Sequence, residues 1–497
     1  MAEQDGKGCP GCASLREQLG ALTVRLAALE AQLAQTQAQL AQTQVQLAQT
    51  QAQLALAQKN SSNSSKPPSG DITKPKPKRK KGDQKKRKRG GQPGHPRHQR
   101  PLFEEQDLDR IWEWRYPSCP CCAGPLQDAQ QEPIRLQQIE IEERPVLIEE
   151  HRRIAQWCAK CHKFHVPELP AKLAEAGLIG PRLTTLVGWL KGVCHMSISS
   201  IKKYFRDVIG IRISKGMIGK LVQKVSASLK DPYDELLRLL ADEDRLNVDE
   251  TGHKDQGRRL WTWCFRAALY SVFKISPSRG SDVLLEVLGR EFDGLLGCDY
   301  FSAYRKYMKL NDKVSLQFCL AHLIRDYKFL AEHPDPRNRE YGKRLLTHFK
   351  KLFGIIHRRD EYASPATFQR ALESVRDDVI WEAAMEAPDT REAGNLAERF
   401  YLHTESYFRF LTDPEIDPTN NLAEQAIRYV AIHRRLTQGT RGENGQRWFE
   451  RIATVITTCA QQGRSVFEFL YSAVEQSFAG EPAPTLIPRL AASADTS

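Results

Sequence analysis

Leu19, Leu26, Leu33, Leu40, Leu47 and Leu54 recur every seven residues, with Leu15, Leu22 and Leu29, then Thr36, Thr43 and Thr50, at the alternate position. A sustained seven-residue period predicts a left-handed coiled coil and self-association over residues 1–58. Thr weakens the seam, and the outer positions carry Gln rather than charge pairs, so partner choice is poorly specified. The pattern stops at Lys59-Asn-Ser-Ser-Asn-Ser-Ser-Lys-Pro-Pro, where no apolar face exists and a disordered linker to about residue 100 is expected. Ile134 to Ile154 alternates apolar and polar, as strands do. Leu183, Leu186, Val187 and Leu190 share a helical face, followed by a helical run at Ser197–Phe205, a break at Gly210 and a Ser214-capped helix. Helix, Gly-containing turn and capped helix is a helix-turn-helix pattern over 171–235, in which Lys215 and Lys220 face phosphate or base edges; an ordinary helical hairpin is the plain alternative.

Beyond residue 241 the pattern changes to short apolar runs. Arg245–Thr251 reads as a strand ending in acids. Arg259–Arg266 and Ala267–Ile275 are aromatic and β-branched and read as hairpin strands. Arg279–Leu288 opens a helix, a fourth strand ends at Asp299, and Val314–Cys319 is a fifth. Three antiparallel strands, a helix and a further strand make an RNase H-like order. In it the first and fourth strands are neighbours, which brings Asp249 and Asp299 together. The stretch Gly480–Ser497 has no apolar period, and a disordered tail is expected from about residue 476.

Composition adds location. With 497 residues, 40% hydrophobic and 27% charged, the chain reads as several soluble domains. It has no run of about 20 apolar residues for a membrane span. It has no basic-then-apolar leader for secretion either, so a cytoplasmic, nucleoid-associated protein is expected. Lys74–Arg100 holds thirteen Lys/Arg and one Asp, a net of +12 that equals the formal charge of the whole chain. A cationic strip on a neutral body suits DNA phosphates. Of the twelve cysteines, Cys119, Cys122, Cys158 and Cys161 form two Cys-x-x-Cys pairs, the knuckle spacing of a tetrahedral Zn²⁺ ribbon over 101–170. Cys121, His162 and His165 are possible substitute ligands. Cys9-Pro-Gly-Cys12 is a lone pair beside the coiled coil.

Three carboxylates on separate elements, Asp249, Asp299 and Glu424, are what a pair of Mg²⁺ ions needs to clamp the attacking and leaving oxygens of a phosphodiester. Glu250 competes with Asp249, and Glu415 and Asp417 compete with Glu424. Asn421 and Arg428 share the helical neighbourhood of Glu424 and suit substrate phosphate.

The words around these acids resemble the IS66-family insertion-sequence transposases, a branch of the DDE enzymes. The resemblance covers nearly the whole chain. It rests on Asn60-Ser-Ser-Asn-Ser-Ser-Lys-Pro-Pro-Ser, Gly90-Gly-Gln-Pro-Gly-His, the paired cysteines, Val248-Asp-Glu-Thr, Cys319-Leu-Ala-His-Leu-Ile-Arg and Asn420-Asn-Leu-Ala-Glu-Gln-Ala-Ile-Arg. It implies a catalytic triad of Asp249, Asp299 and Glu424 with Mg²⁺ or Mn²⁺, and His322 and Arg325 as auxiliary residues. It also implies a catalytic domain over 236–475 with a helical insertion at about 326–411, and DNA cleavage and strand transfer at terminal inverted repeats and target DNA. Accessory proteins of the same element are further expected partners. Gln425 stands where the family often has Arg, and Tyr-Phe-Ser follows Asp299 in place of Gly-Tyr. The competing functions are a catalytically inactive or domesticated DNA-binding regulator and a nuclease of the same fold.

Overall fold

The computed structural model describes residues 10–57, 59, 101–127, 133–142 and 145–487. The expected basic linker and the pair Cys9–Cys12 fall outside the residues whose side chains are described. By internal contacts the chain divides into two units. One comprises Met1–Pro75, Glu168–Lys202 and Ser214–Ser497; the other comprises Lys76–Pro167 and Lys203–Ile213.

The N-terminal heptads form one helix, α1 (Pro10–Ala57). Its leucines lie open, with Leu19 62% and Leu47 56% exposed. Thr36, Thr43 and Thr50 turn their hydroxyls back onto the carbonyls of Gln32, Gln39 and Gln46 at 2.8, 2.9 and 2.9 Å. Each therefore offers only a methyl to the stripe.

In the second unit, β1 (Gln156–Cys158) pairs antiparallel with β2 (Lys163–His165), with Cys158 opposite Lys163. The Ile134–Ile154 alternation does not become strands among its described residues. Ile134, Leu136 and Ile154 are exposed, so no apolar layer rewards a ladder there.

The helical region runs α2 (Ala171–Ala176), α3 (Pro181–Gly192), α4 (Ile198–Tyr204), α5 (Lys215–Ser228) and α6 (Lys230–Leu239). After α4 the helix widens into a π turn at Phe205–Ile209 and stops at Gly210, whose φ of 80° is left-handed. Ser214 then caps α5 by accepting the Met217 N–H at 3.1 Å. Lys215 and Lys220 are exposed on α5.

The core is a five-stranded mixed sheet of β3 (Arg245–Asp255), β4 (Arg258–Arg266), β5 (Ser271–Ser276), β6 (Leu295–Cys298) and β7 (Ser315–Phe318). Its order is β5-β4-β3-β6-β7. The β3–β4 and β4–β5 pairs are antiparallel, and β3–β6 and β6–β7 are parallel. The β3–β4 hairpin turns on Gln256 (φ 48°) and Gly257 (φ 84°), both left-handed as a tight two-residue hairpin turn requires. Between β5 and β6 lies α7 (Ser281–Leu288), and between β6 and β7 lies α8 (Ser302–Leu310).

After β7 come α9 (Leu320–Ala331), α10 (Pro336–His357), α11 (Pro365–Ala384) and α12 (Arg391–Phe408). They start at Cys319, Asp335, Ser364 and Thr390, and the last three are side-chain caps. The chain returns to the sheet in α13 (Asn421–Thr437), α14 (Glu443–Gln461) and α15 (Val466–Ala479). Ala426, Ile427 and Val430 of α13 pack with Phe449 and Ala453 of α14 against Cys264, Phe273 and Ile275. The expected tail is helical to Ala479 and then held as far as Ile487. Leu486 is buried, and its carbonyl accepts from Gln462 at 2.9 Å. Residues 488–497 lie outside the described ones.

A Cβ at Gly342 in α10 would stand 2.5 Å from the Ala331 backbone nitrogen, whereas one at Gly354 on the same helix meets nothing within 4 Å. Ala relieves helical glycine of about 0.5–1 kcal/mol, while forced overpacking costs about 1–3 kcal/mol. Gly354→Ala is therefore expected to raise the denaturation midpoint and Gly342→Ala to lower it, as read by urea unfolding of the two variants.

Candidate active site

Sheet order puts Asp249 and Asp299 on adjacent strands. Asp249 lies within β3, opposite Cys264 of β4 and so on the face that α13 covers. Asp299 directly follows β6. Glu424 stands in the first turn of α13. Burial, and then the charges of Glu250, Asp299 and Glu424, push the Asp249 carboxyl well above the usual range. Three acids far apart in sequence thus act on one another electrostatically.

Asn420 brings α13 to the sheet. Ahead of a helix, Asn ordinarily caps the helix's own amides. Here its side chain makes no such bond. It donates to the Val248 carbonyl at 2.8 Å and accepts from Asn247 Nδ2 at 2.9 Å. Its backbone N–H points to Cys319 Sγ at 3.1 Å. Gly297 of β6 leaves room for this latch, since a Cβ there would lie 2.5 Å from Asn247 Nδ2.

Glu424 is oriented by α9. Arg325 Nη2 lies 3.3 Å from both Glu424 oxygens, and His322 Nδ1 lies 3.6 Å from one of them. Burial first, then the Arg325 charge, lowers the His322 pKa, which favours the neutral ring. Cys319, His322 and Glu424 hold their ligand atoms within 4.8 Å of one another. Burial raises the Cys319 thiol to about 11, however, and a neutral thiol is a poor metal ligand.

Glu250 faces the other side of the sheet. Arg279 Nη2 and Nε hold its Oε1 at 2.7 and 2.9 Å, and the Tyr304 hydroxyl donates to its Oε2 at 2.5 Å. Burial and the Asp299 charge raise its pKa to about 7 despite Arg279. Asp299 Oδ1 accepts the Phe301 N–H at 2.8 Å. The remaining competitors are engaged elsewhere: Glu415 pairs with Arg245 at 2.8 Å, and Asp417 accepts from Thr419 at 2.7 Å. Asn421 and Arg428 lie exposed on α13, the latter one turn past Glu424.

In the other unit, Cys158, Cys161 and His165 hold their ligand atoms within 4.8 Å, with Cys161 Sγ 3.2 Å from His165 Nε2. Cys119 belongs to a separate turn, closed by the Cys119 N–H to the Gly124 carbonyl at 2.9 Å and the Ala123 N–H to the Cys119 carbonyl at 2.8 Å. Amides of Cys161 and Lys160 lower the Cys158 thiol pKa, and those of Cys121 and Cys122 lower that of Cys119. His165, expected only as a substitute, is the third member of the group on β2.

Sequence reasoning did not find Arg279, Tyr304 or the latch geometry of Asn420. Their only signal is spatial. Tyr300 is a further case: the Arg305 and Arg399 guanidiniums lie 4.3 and 4.6 Å from its ring, tying the residue after Asp299 to α12.

A mixed α/β domain with clustered acids on adjacent strands and a facing helix defines the class, and comparison places the chain within it. Residues 176–447, more than half of the chain and including all three acids, match the model of the Transposase IS66 family, and the chain belongs to that family. Residues 13–101 match a family of unknown function, DUF6444. Three uncharacterized proteins of Sinorhizobium fredii are similar. The protein y4qI is 24% identical over 63% of this chain and 62% of its own length. The protein y4hP is 25% identical over 69% and 67%, and y4jD 23% over 75% and 77%. The chain thus spans less than two thirds of y4qI. No helix among the described residues is long and apolar enough to cross a membrane.

Asp249 and Glu250 bind protons more tightly folded than unfolded, so their ionisation opposes folding as pH rises, for Glu250 between about 4.5 and about 7. In metal-free protein, Asp249→Asn is expected to melt several degrees above wild type at pH 7.5. The gap should close at pH 5, as read by calorimetry at both pH values. Asn420→Ala strands the Asn247 amide and the Val248 carbonyl, which is expected to cost about 1–3 kcal/mol in urea unfolding.

Proposed function

We propose that this chain is a DDE transposase that cuts the ends of an insertion sequence and joins them to target DNA, with Asp249, Asp299 and Glu424 as its catalytic carboxylates. The observation that carries the reading is the convergence of the three acids: Asp249 within β3, Asp299 directly after the adjacent β6 and Glu424 on the covering α13. They are close enough that, after burial and Glu250, the charges of Asp299 and Glu424 act on Asp249. The sheet order, with the first strand central and parallel to the fourth, supports an RNase H-like catalytic domain over 236–475. The four helices after β7 fit its insertion at about 326–411.

The donor set fits hard divalent cations, Mg²⁺ or Mn²⁺: three carboxylates, with the one at the centre pushed toward protonation by its neighbours. When bound, such ions supply charge neutralisation at the scissile phosphate and a reactive water or 3′-hydroxyl. The chain does the rest. Arg325 contacts both Glu424 oxygens and aims the side chain, and neutral His322 is placed to hydrogen-bond a substrate oxygen without adding charge. Asn421 and Arg428 lie on the open side of α13, where they suit flanking phosphates. The Phe301 amide takes one Asp299 oxygen and leaves the other free for a ligand.

The remaining modules fit DNA handling. We read α1 as one strand of a homo-oligomeric coiled coil, and the α3–α5 region with Lys215 and Lys220 as helix-turn-helix-like. We read Cys119, Cys122, Cys158 and Cys161 as the four donors of a Zn²⁺ ribbon, with His165, whose Nε2 lies 3.2 Å from Cys161 Sγ, as a substitute ligand. The lowered thiol pKa values of Cys158 and Cys119 favour the thiolates that zinc requires.

The test is a labelled duplex carrying the element's own end, incubated with purified protein and Mg²⁺. A nick at the boundary is expected, with Asp249→Asn, Asp299→Asn and Glu424→Gln each reducing it by about 10³-fold or more while DNA binding persists. Binding without cleavage in Mg²⁺ and Mn²⁺ alike would favour the regulator, and nicking without joining the nuclease. Independently, Mn²⁺ at about 100 times its Kd should stabilise the wild type by about 2.7 kcal/mol and leave Asp249→Asn unchanged in a thermal shift.

A further inference from the structure

The side of the sheet away from α13 carries a second assembly that the proposed chemistry does not use. It begins at Glu250, whose side chain is 1% exposed although it bears a carboxylate. Both of its oxygens are committed, Oε1 to Arg279 and Oε2 to Tyr304. Arg279 reaches it from the loop between β5 and α7, and Tyr304 from the first turn of α8.

Arg279 does more than neutralise Glu250. Its guanidinium lies 4.0 Å from the centre of the Phe301 ring and 4.5 Å from that of Trp261 on β4. Such stacking holds the guanidinium plane in one orientation. Phe301 is the residue whose backbone N–H fixes Asp299 Oδ1 at 2.8 Å. A continuous path of close contacts therefore runs from Asp249 through its chain neighbour Glu250 to Arg279, Phe301 and Asp299. Tyr304, five residues past Asp299, closes a second path back to Glu250.

The strand ladder does not supply this constraint. The β3–β6 pairing runs from Arg245 opposite Leu295 to Asn247 opposite Gly297 and stops before either acid. Asp249 and Asp299 sit beyond the last paired residues, where like charges push them apart.

We propose that Arg279 is a positioning residue for the acid pair: by gripping Glu250 and stacking on Phe301, it fixes the separation and orientation of the Asp249 and Asp299 carboxylates and so sets their affinity for a divalent cation. This rests on the reading of those two acids as metal ligands. Residues that orient ligands from behind are worth about 10–100-fold in metal affinity.

The experiment is calorimetric titration of the full-length protein with Mn²⁺ in the absence of DNA, with the melting temperature recorded alongside. Arg279→Ala is expected to weaken Mn²⁺ binding about tenfold, and Arg279→Lys, which keeps the charge but loses the planar stack, to weaken it nearly as much. Phe301→Leu leaves Glu250 paired and tests the same path if Arg279→Ala folds poorly; a loss of about threefold or more is expected. Wild-type affinity in both Arg279→Lys and Phe301→Leu would overturn the proposal. Unaltered Mn²⁺ binding by Asp249→Asn would instead overturn the metal-site reading itself. The two failures are thus told apart by which variant keeps its affinity.

Discussion

The fold is organised around a repulsion. Burial, together with the charges of Glu250, Asp299 and Glu424, raises the proton affinity of Asp249, and burial with the Asp299 charge raises that of Glu250, so the chain would relax if these acids could separate. Each acid is held by a different device. Glu250 is neutralised by Arg279 and Tyr304, Glu424 by Arg325, and Asp299 by a backbone amide. Asp249, at the centre, has no cationic side chain among the causes of its shift. Burying a carboxylate without a cationic partner costs stability, and the surrounding framework must be rigid enough to bear it.

That framework is the Asn420 latch. The Asn420 side chain joins the start of α13 to the backbone of β3, the Asn420 backbone N–H reaches Cys319 at the start of α9, and Gly297 on β6 leaves room beside Asn247. Three elements that carry or orient acids thus meet at one buried amide. Cys319 works here as a hydrogen-bond acceptor and a packed apolar group. The same economy is visible at the hairpin end of β3. Asp255 accepts from Thr440 and the Gly442 amide at 2.8 Å each, anchoring the loop after α13 to the strand that bears Asp249.

Local pattern carried much of the secondary structure. The hairpin strands, the strand before Asp299, the Ser214 cap and the long heptad helix were all legible, because hydrophobic period and capping chemistry are properties of neighbours in sequence. Ile134–Ile154 was misleading for the same reason. Alternation creates a strand only where a second layer covers it, and these side chains lie exposed. The tail after Gly480 was misleading in the opposite sense, since one leucine, Leu486, finds a buried place.

Which carboxylates are present, and that Asp249 and Asp299 end strand-like runs, followed from the sequence alone, as did the paired cysteines and the cationic strip. Tertiary structure decided which acids remain open. The sequence favoured Glu424 through its neighbours Asn421 and Arg428 but left Glu415 and Asp417 as competitors, which the structure pairs with Arg245 and Thr419. Glu250 competed with the favoured Asp249, and the structure turns it to the other face, toward Arg279 and Tyr304. The physical reason is common to all of them. A carboxylate's role depends on the charge and solvent around it, and those are set by residues tens to hundreds of positions away.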